Sequence, residues 1–231
     1  KIPKKGKLIE IKNLKDIEKN SSSDSSKKAD IYLNDIGISI KEVNGNPYNK
    51  LYRKDLNFIN TFVKDDKITN DIIDKIENRL KLIHRNDLKR DVVWKDLIDK
   101  KYFKPLLEYL MLFGKPFKKN EFPAKYILVC KKKVFSNEDL KLLTFNEYFD
   151  LYENRLSFAF RRVWYGMTSD EHRRAKNICF EHKNSSNWCF KTITGKPRKR
   201  KDGKSIWRSD ISSSERRTAY YINIGIIKNE T

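Results

Sequence analysis

Asp30, Ser39 and Lys41 are the residues whose types and spacing in this chain suit chemistry. They lie in Lys28-Ala29-Asp30-Ile31-Tyr32-Leu33-Asn34-Asp35-Ile36-Gly37-Ile38-Ser39-Ile40-Lys41. This reads as two short strands joined by the turn-forming stretch Asn34-Asp35-Ile36-Gly37. Side chains alternate along a strand, so Ser39 and Lys41 share one face and Ile38 and Ile40 the other. In a hairpin, Asp30 comes alongside Ser39 and Lys41 at the end away from the turn. A carboxylate, a hydroxyl and a lysine converging on a sheet edge suit Mg2+-assisted cleavage of a phosphodiester. The plainer reading is an amphipathic hairpin with a solvated lysine, because S-x-K arises easily in a chain with 51 Lys and Arg.

Asp30 followed by Ser39-x-Lys41 resembles the PD-(D/E)xK nuclease core, in the variant where serine replaces the second acid. The continuation Lys41-Glu42-Val43-Asn44-Gly45-Asn46-Pro47-Tyr48 is similar to the S-(I/V)-K-x-G-x-G-N-S stretch of a group of type II restriction endonuclease-like proteins. Three departures stand out: the first glycine of the pair is missing, Pro47 replaces the serine, and Asn49-Lys50-Leu51 stands where H-Q-E often follows. No role of that histidine or glutamate is carried over.

The resemblance implies an α/β fold with a restriction-endonuclease-like core, a mixed sheet flanked by helices. It implies a Mg2+ ligated by Asp30 and the backbone carbonyl of Ile40, with Ser39 holding a metal-bound water. Lys41 would position the attacking water, help deprotonate it and stabilise charge on the phosphorane-like transition state. Double-stranded DNA is then the substrate. A homodimer is expected, since one site per chain must serve two strands. Further carboxylates for the metal are Asp24, Glu10, Glu18 and Asp35, with Glu42 ranked lowest. Glu42 points to the opposite face from Lys41.

Composition fits a nucleic-acid partner. The 51 Lys and Arg exceed the 31 Asp and Glu, giving a formal charge of +20, which attracts polyanions. With 13 Phe, 11 Tyr and 4 Trp, the chain carries too many aromatics for a disordered basic tail. Its 231 residues suffice for one good core and a small appended lobe. Cys130, Cys179 and Cys189 contain no CxxC pair, and an odd, sparse set points to a reducing compartment. No apolar run approaches the roughly 20 residues of a membrane span. The first residues, Lys1 to Lys7, lack both a Met and the apolar segment of a signal peptide. A cytoplasmic protein without membrane contact is the expectation.

Along the chain, residues 1–28 are basic and then serine-rich, with Ser21–Ser26 reading as a linker. After the hairpin, residues 50–114 read as helices. Ile68, Ile72, Ile73, Ile76, Leu80 and Ile83 follow helical spacing, as do Trp94, Leu97, Ile98, Leu106, Leu107 and Leu110. Pro105 should limit the helix before it, and Gly114 should stop the next. The surplus of apolar residues here suggests that part of this stretch forms the subunit contact. Tyr126–Cys130 is a continuous apolar run suited to a central strand. Asn137–Leu140 reads as a helix start, and Phe145–Phe149 as helix. Strands are expected at 156–160, 187–193, 205–208 and 218–224. The division is therefore 1–154 as nuclease core with a helical segment and 155–231 as a β-rich, DNA-contacting lobe, or one continuous domain.

The DNA-contacting residues expected in that lobe form two groups. Lys196, Arg198, Lys199, Arg200, Lys201 and Lys204 make a basic loop, with Arg208 after it. Arg161, Arg162, Arg173 and Arg174 surround Trp164 and Tyr165. Rival readings are weaker. Glu10-x-Lys12 is itself an E-x-K motif but has no aspartate before it. His172, Cys179, His182 and Cys189 have residue types that suit Zn2+ at an uncommon spacing. His84 falls on a polar helix face and has no assigned role. A non-catalytic nucleic-acid-binding protein accounts for the charge equally well.

Overall fold

The computed structural model describes residues 2–4, 7–9, 28–33, 36–86, 88–117, 122–131, 139–181, 187–193 and 206–228. The chain is mixed α/β, with two larger sheets and several helices. It divides into two compact units. The first combines residues 1–48, 98–156 and 225–231, and the second combines 49–97 and 157–224. This is not a simple cut between 1–154 and 155–231, because the helical stretch 49–97 groups with the C-terminal strands.

In the first unit, a small hairpin pairs β1 (Ile2–Lys4) with β2 (Lys7–Ile9). The main sheet has four strands in the order β3 (Ile31–Leu33), β4 (Ile36–Glu42), β7 (Tyr126–Cys130) and β8 (Leu140–Leu143). β3 and β4 form the expected antiparallel hairpin, with Ile31 opposite Ile38. β7 lies parallel to β4, with Ser39 opposite Ile127 and Lys41 opposite Val129. The apolar run of β7 makes it an inner strand, with β8 antiparallel on its other edge. Leu140 is therefore in a strand, not at a helix start. Its backbone pairs with Cys130, which a helix there would leave unpaired.

Gly37 falls within β4 and not in the turn. A Cβ there would collide with the Pro123 carbonyl oxygen and lie 2.8 Å from the Ala29 Cβ. The Gly37 carbonyl accepts from Lys125 N–H at 2.7 Å. Only a glycine lets β4 approach this segment closely enough for its downstream residues to keep their register.

Two helices belong to the same unit. α2 (Lys100–Glu108) buries Phe103, Leu106 and Leu107 and runs through Pro105 instead of stopping before it. Proline removes one backbone donor, and here burial of the apolar face outweighs that loss. A π-helical stretch, Tyr109–Phe113, follows and ends at Gly114, as the sequence suggested. α3 (Phe145–Tyr152) starts with a reciprocal cap: Thr144 accepts from Glu147 N–H, and the Glu147 carboxylate accepts from Thr144 N–H at 2.7 Å.

In the second unit, the sheet order is β10 (Cys189–Lys191), β11 (Arg217–Ile226), β9 (Leu156–Tyr165) and β6 (Asp91–Val93), and β5 (Tyr48–Leu51) also pairs with β11. Against it stands α1 (Asp66–Asn86), whose Ile72, Ile73, Ile76, Leu80 and Ile83 are buried. These side chains are buried within the unit, while Leu82 on the same helix is exposed. Trp94 does not continue a helix: it opens a single 3-10 turn (Trp94–Asp96) after β6. Ile206–Arg208 is not a strand either, since only Trp207 pairs, as an isolated bridge to Met167. The lobe also holds a helix that its strand-like pattern did not suggest, α4 (Asp170–Glu181).

Two buried polar side chains tie this unit together. The Glu77 carboxylate of α1 accepts from Trp188 Nε1 at 3.1 Å, Asn187 Nδ2 at 2.5 Å and Arg53 Nε at 2.9 Å. His84, expected on a polar face, is buried against Phe190 with ring centroids 4.5 Å apart. Its Nε2 lies 3.1 Å from the Lys191 carbonyl and its Nδ1 3.1 Å from the Tyr220 hydroxyl. The carbonyl can only accept, so Nε2 carries the proton and Nδ1 accepts from tyrosine.

The close fit at Gly37 is testable. Gly37→Ala is expected to lower stability by about 1–3 kcal/mol, the usual effect of overpacking a tight site, read as a lower urea midpoint. An unchanged midpoint would show that the Pro123 segment yields without strain.

Candidate active site

Ahead of Ile31, where β3 begins, the hairpin ladder continues through a side chain. Asp30 N–H donates to the Ile38 carbonyl at 2.8 Å. Two residues further along β4, the Ile40 N–H has no strand backbone opposite it. The Asp30 carboxylate accepts it at 2.6 Å through Oδ2, and the Ser39 hydroxyl donates more loosely to the same oxygen at 3.4 Å. In an extended strand the N–H and C=O of one residue point to the same edge. The Ile40 carbonyl therefore lies on the edge that Asp30 occupies. Asp30, Ser39 and Lys41 are thus brought together as the sequence pattern proposed. Ser39 is fully buried, and Glu42 is exposed.

Burial lowers the Lys41 pKa from the ordinary lysine value, and the Asp30 charge opposes that shift. A second lysine, absent from the motif, belongs to the same site. Lys28 has its pKa pushed down to about 8 by burial first, then by the charges of Lys41 and Lys115, with Asp30 again opposing. Its backbone N–H and that of Ala29 both donate to the Phe122 carbonyl, at 3.2 and 3.1 Å, and its ammonium sits 4.8 Å from the centroid of the Tyr48 ring. Three lysines around one carboxylate leave a local positive balance, which suits an anionic phosphate.

The oxygen donors present here are a carboxylate, a backbone carbonyl and a hydroxyl. This hard set fits Mg2+, which is commonly held by one or two carboxylates with waters and substrate phosphate completing its shell. Among the described residues, no group of three or more His, Cys, Asp and Glu gathers to hold a metal. Glu10, Glu18, Asp24 and Asp35 lie outside the described residues.

The zinc reading does not survive. Cys179 of α4 and Cys189 of β10 are joined in a disulfide, with Cα atoms 5.3 Å apart, so neither is a free thiolate ligand. An odd, sparse cysteine set pointed to a reducing compartment, whereas the structure pairs two of the three; Cys130 alone is free, and it is buried. His172 stacks on Tyr165 at 4.9 Å, and its Nδ1 accepts from Gly166 N–H at 3.0 Å. His182 lies outside the described residues.

The candidate DNA-contacting residues fall in several settings. On β9, Arg161 pairs with Asp91 at 3.0 Å, and Arg162 beside it is half-buried. On α4, Arg173 is exposed, while Arg174 places its guanidinium 5.7 Å from the Tyr221 ring centroid. Arg208 is paired with Asp210 at 2.6 Å. Lys196, Arg198, Lys199, Arg200, Lys201 and Lys204 lie outside the described residues. Trp188 is a core residue, buried with its Nε1 bonded to Glu77. No family model, no curated protein and no solved structure matches the chain.

The lysine environment gives a pH prediction. Lys28 is charged below about pH 8 and neutral above it. In the unfolded chain it would titrate near the usual 10.5, so between these values the unfolded state binds the extra proton. The Lys28 contribution to stability therefore rises with pH across that window. NMR of 13C-methylated lysines should show one signal titrating near pH 8 that disappears in Lys28→Arg. Asp30→Asn should move the Lys28 and Lys41 signals to still lower pH. Unchanged titrations would show that Asp30 is too distant to act on either lysine.

Proposed function

We propose that this chain is a Mg2+-dependent, sequence-specific DNA endonuclease of the type II restriction class, acting on double-stranded DNA in the cytoplasm. The observation that carries the reading is the Asp30 carboxylate fixed over β4 beside Ser39 and Lys41, on the edge that also presents the Ile40 carbonyl. The excess of basic residues supports a polyanionic partner.

Asp30 and the Ile40 carbonyl would hold the Mg2+, which when bound would supply Lewis-acid stabilisation of charge on the phosphoryl oxygens. Ser39 stands where a second acid is commoner; buried and donating to Asp30 Oδ2, its hydroxyl orients that carboxylate without adding negative charge. Lys41 holds the attacking water, and its lowered pKa suits it to take up the water's proton and to place positive charge against the pentavalent phosphate. Lys28 adds a second cation whose charge is lost as pH rises through about 8.

No helix among the described residues is long and apolar enough to cross a membrane. A reducing cytoplasm would open the Cys179–Cys189 bond, so the proposed location carries the dithiol form. A homodimer on DNA belongs to the same proposal, because each chain carries one candidate site and a palindrome offers two strands.

A second reading has its own observation. The Asp30–Ile40 bond satisfies a strand N–H that would otherwise go unpaired, a sufficient structural role. The chain would then be a non-catalytic nucleic-acid-binding protein. Incubation with plasmid separates the two. Discrete fragments with Mg2+ and none with EDTA are expected. Asp30→Ala and Lys41→Ala should abolish cutting while leaving DNA affinity within about tenfold, since phosphate contacts that position the duplex lie elsewhere. Ser39→Glu should keep or raise activity. Stable DNA binding without cutting under any metal, or cutting by Lys41→Ala at the wild-type rate, would overturn the nuclease reading.

A further inference from the structure

Beyond β9 the chain turns at Gly166, whose φ of +102° suits a glycine. The segment after it aligns with residues 206–208. Thr168 N–H donates to the Ile206 carbonyl and Arg208 N–H to the Gly166 carbonyl, each at 2.8 Å. These segments frame an open cleft of about 760 Å³, bounded by Met167–Asp170 on one side and Trp207–Asp210 on the other. The Arg216 guanidinium lies 4.6 Å from the Trp207 ring centroid.

Arg208 is held as a rigid fork. Its Nε and Nη2 donate to the two carboxylate oxygens of Asp210 at 2.9 and 2.6 Å. Both side chains are well exposed, at 41% and 58%, so the pair adds little to stability. Its consequence is orientation. A guanidinium has five N–H donors in one plane, and the carboxylate takes two of them. The remaining donors along the Nη1–Nη2 edge stay coplanar and fixed.

We propose that this cleft reads a base edge and that Arg208, buttressed by Asp210, recognises guanine in DNA. The proposal rests on the nuclease reading for its choice of DNA as ligand. Guanine presents O6 and N7 side by side in the major groove, matching two coplanar guanidinium donors. A phosphate would match the same fork, but the cleft discriminates against it. Asp170 and Asp210 both line the cleft, against the single arginine Arg208. In a chain of charge +20, this is a site without cationic excess. With the Arg216 guanidinium beside Trp207, the two lining carboxylates disfavour a phosphate relative to a neutral base edge and do not exclude it. Residues that fix the register on the backbone and residues that read sequence are thereby different residues.

Selection of randomised duplexes by the full-length protein in EDTA tests this without reading cleavage. The wild type should enrich a motif with at least one fixed G·C pair. Replacing that guanine by 7-deazaguanine should weaken wild-type binding roughly 5- to 150-fold. Arg208→Ala should lose the preference at that position and be insensitive to 7-deazaguanine. Arg208→Lys, which keeps the charge without the planar fork, should not restore it. Asp210→Asn should blunt the preference while leaving the salt dependence of binding unchanged. The inference is overturned if the wild type enriches no motif, or if Arg208→Ala enriches the same one. It is also overturned if Arg208→Ala weakens all duplexes alike and lowers the salt slope by about 0.9, the mark of one lost phosphate contact. A selected motif in a protein that never cuts would sink the nuclease reading and leave base recognition standing.

Discussion

A strand N–H that loses its neighbour must find another acceptor, and at Ile40 that acceptor is a carboxylate. The 2.6 Å bond from Ile40 to Asp30 lets the ladder end without leaving a half-buried donor unpaired. The same bond fixes where the negative charge sits relative to Ser39 and Lys41. Pairing of β4 with β7 sets the rotation of the strand, and the absent Cβ at Gly37 sets its depth against Pro123 and Ala29. The site is thus positioned by backbone geometry on three sides, with a side chain completing the fourth.

Charge then follows from position. Lys41 and Lys28 are both desolvated, and the single carboxylate opposes their loss of protons only in part. Lysines in such surroundings exchange protons more readily than exposed ones, which is what proton transfer to and from water requires. In the second unit a buried carboxylate has the opposite task. Glu77 is enclosed by three donors and holds the β10 segment to α1. It shows how fully this chain satisfies a carboxylate whose role is only structural. Asp30 keeps one oxygen, Oδ1, apart from the bonds to Ile40 and Ser39.

Patterns with a single cause were legible in the sequence. Alternation revealed the hairpin, and a continuous apolar run marked β7 as an inner strand. The long spacing of isoleucines and leucines marked α1. Elements defined by distant partners were not legible. β6 is three residues long and exists because β9 pairs with it. α4 is rich in charge, and its inner face is carried mainly by Ala175 and Ile178, too few for a visible stripe. Lys28 enters the site because the Phe122 carbonyl anchors its backbone, a contact spanning most of the first unit's sequence. The bond between Cys179 and Cys189 likewise depends on where α4 ends relative to β10. The Asp30, Ser39 and Lys41 grouping was readable because a hairpin makes neighbours of residues nine to eleven apart, whereas Asp210's hold on Arg208 depends on a local turn that no residue pattern marks.

The central claim is that the carboxylate over β4 is a metal ligand and more than a ladder cap. Electron paramagnetic resonance of Mn2+ added to the protein on a DNA duplex tests it directly, in the Lys41→Ala background so that no substrate is consumed. The account predicts bound Mn2+ in Lys41→Ala and its loss in Asp30→Ala/Lys41→Ala, with circular dichroism showing both variants folded. Equal Mn2+ binding by the two would contradict it and leave Asp30 as a structural residue alone.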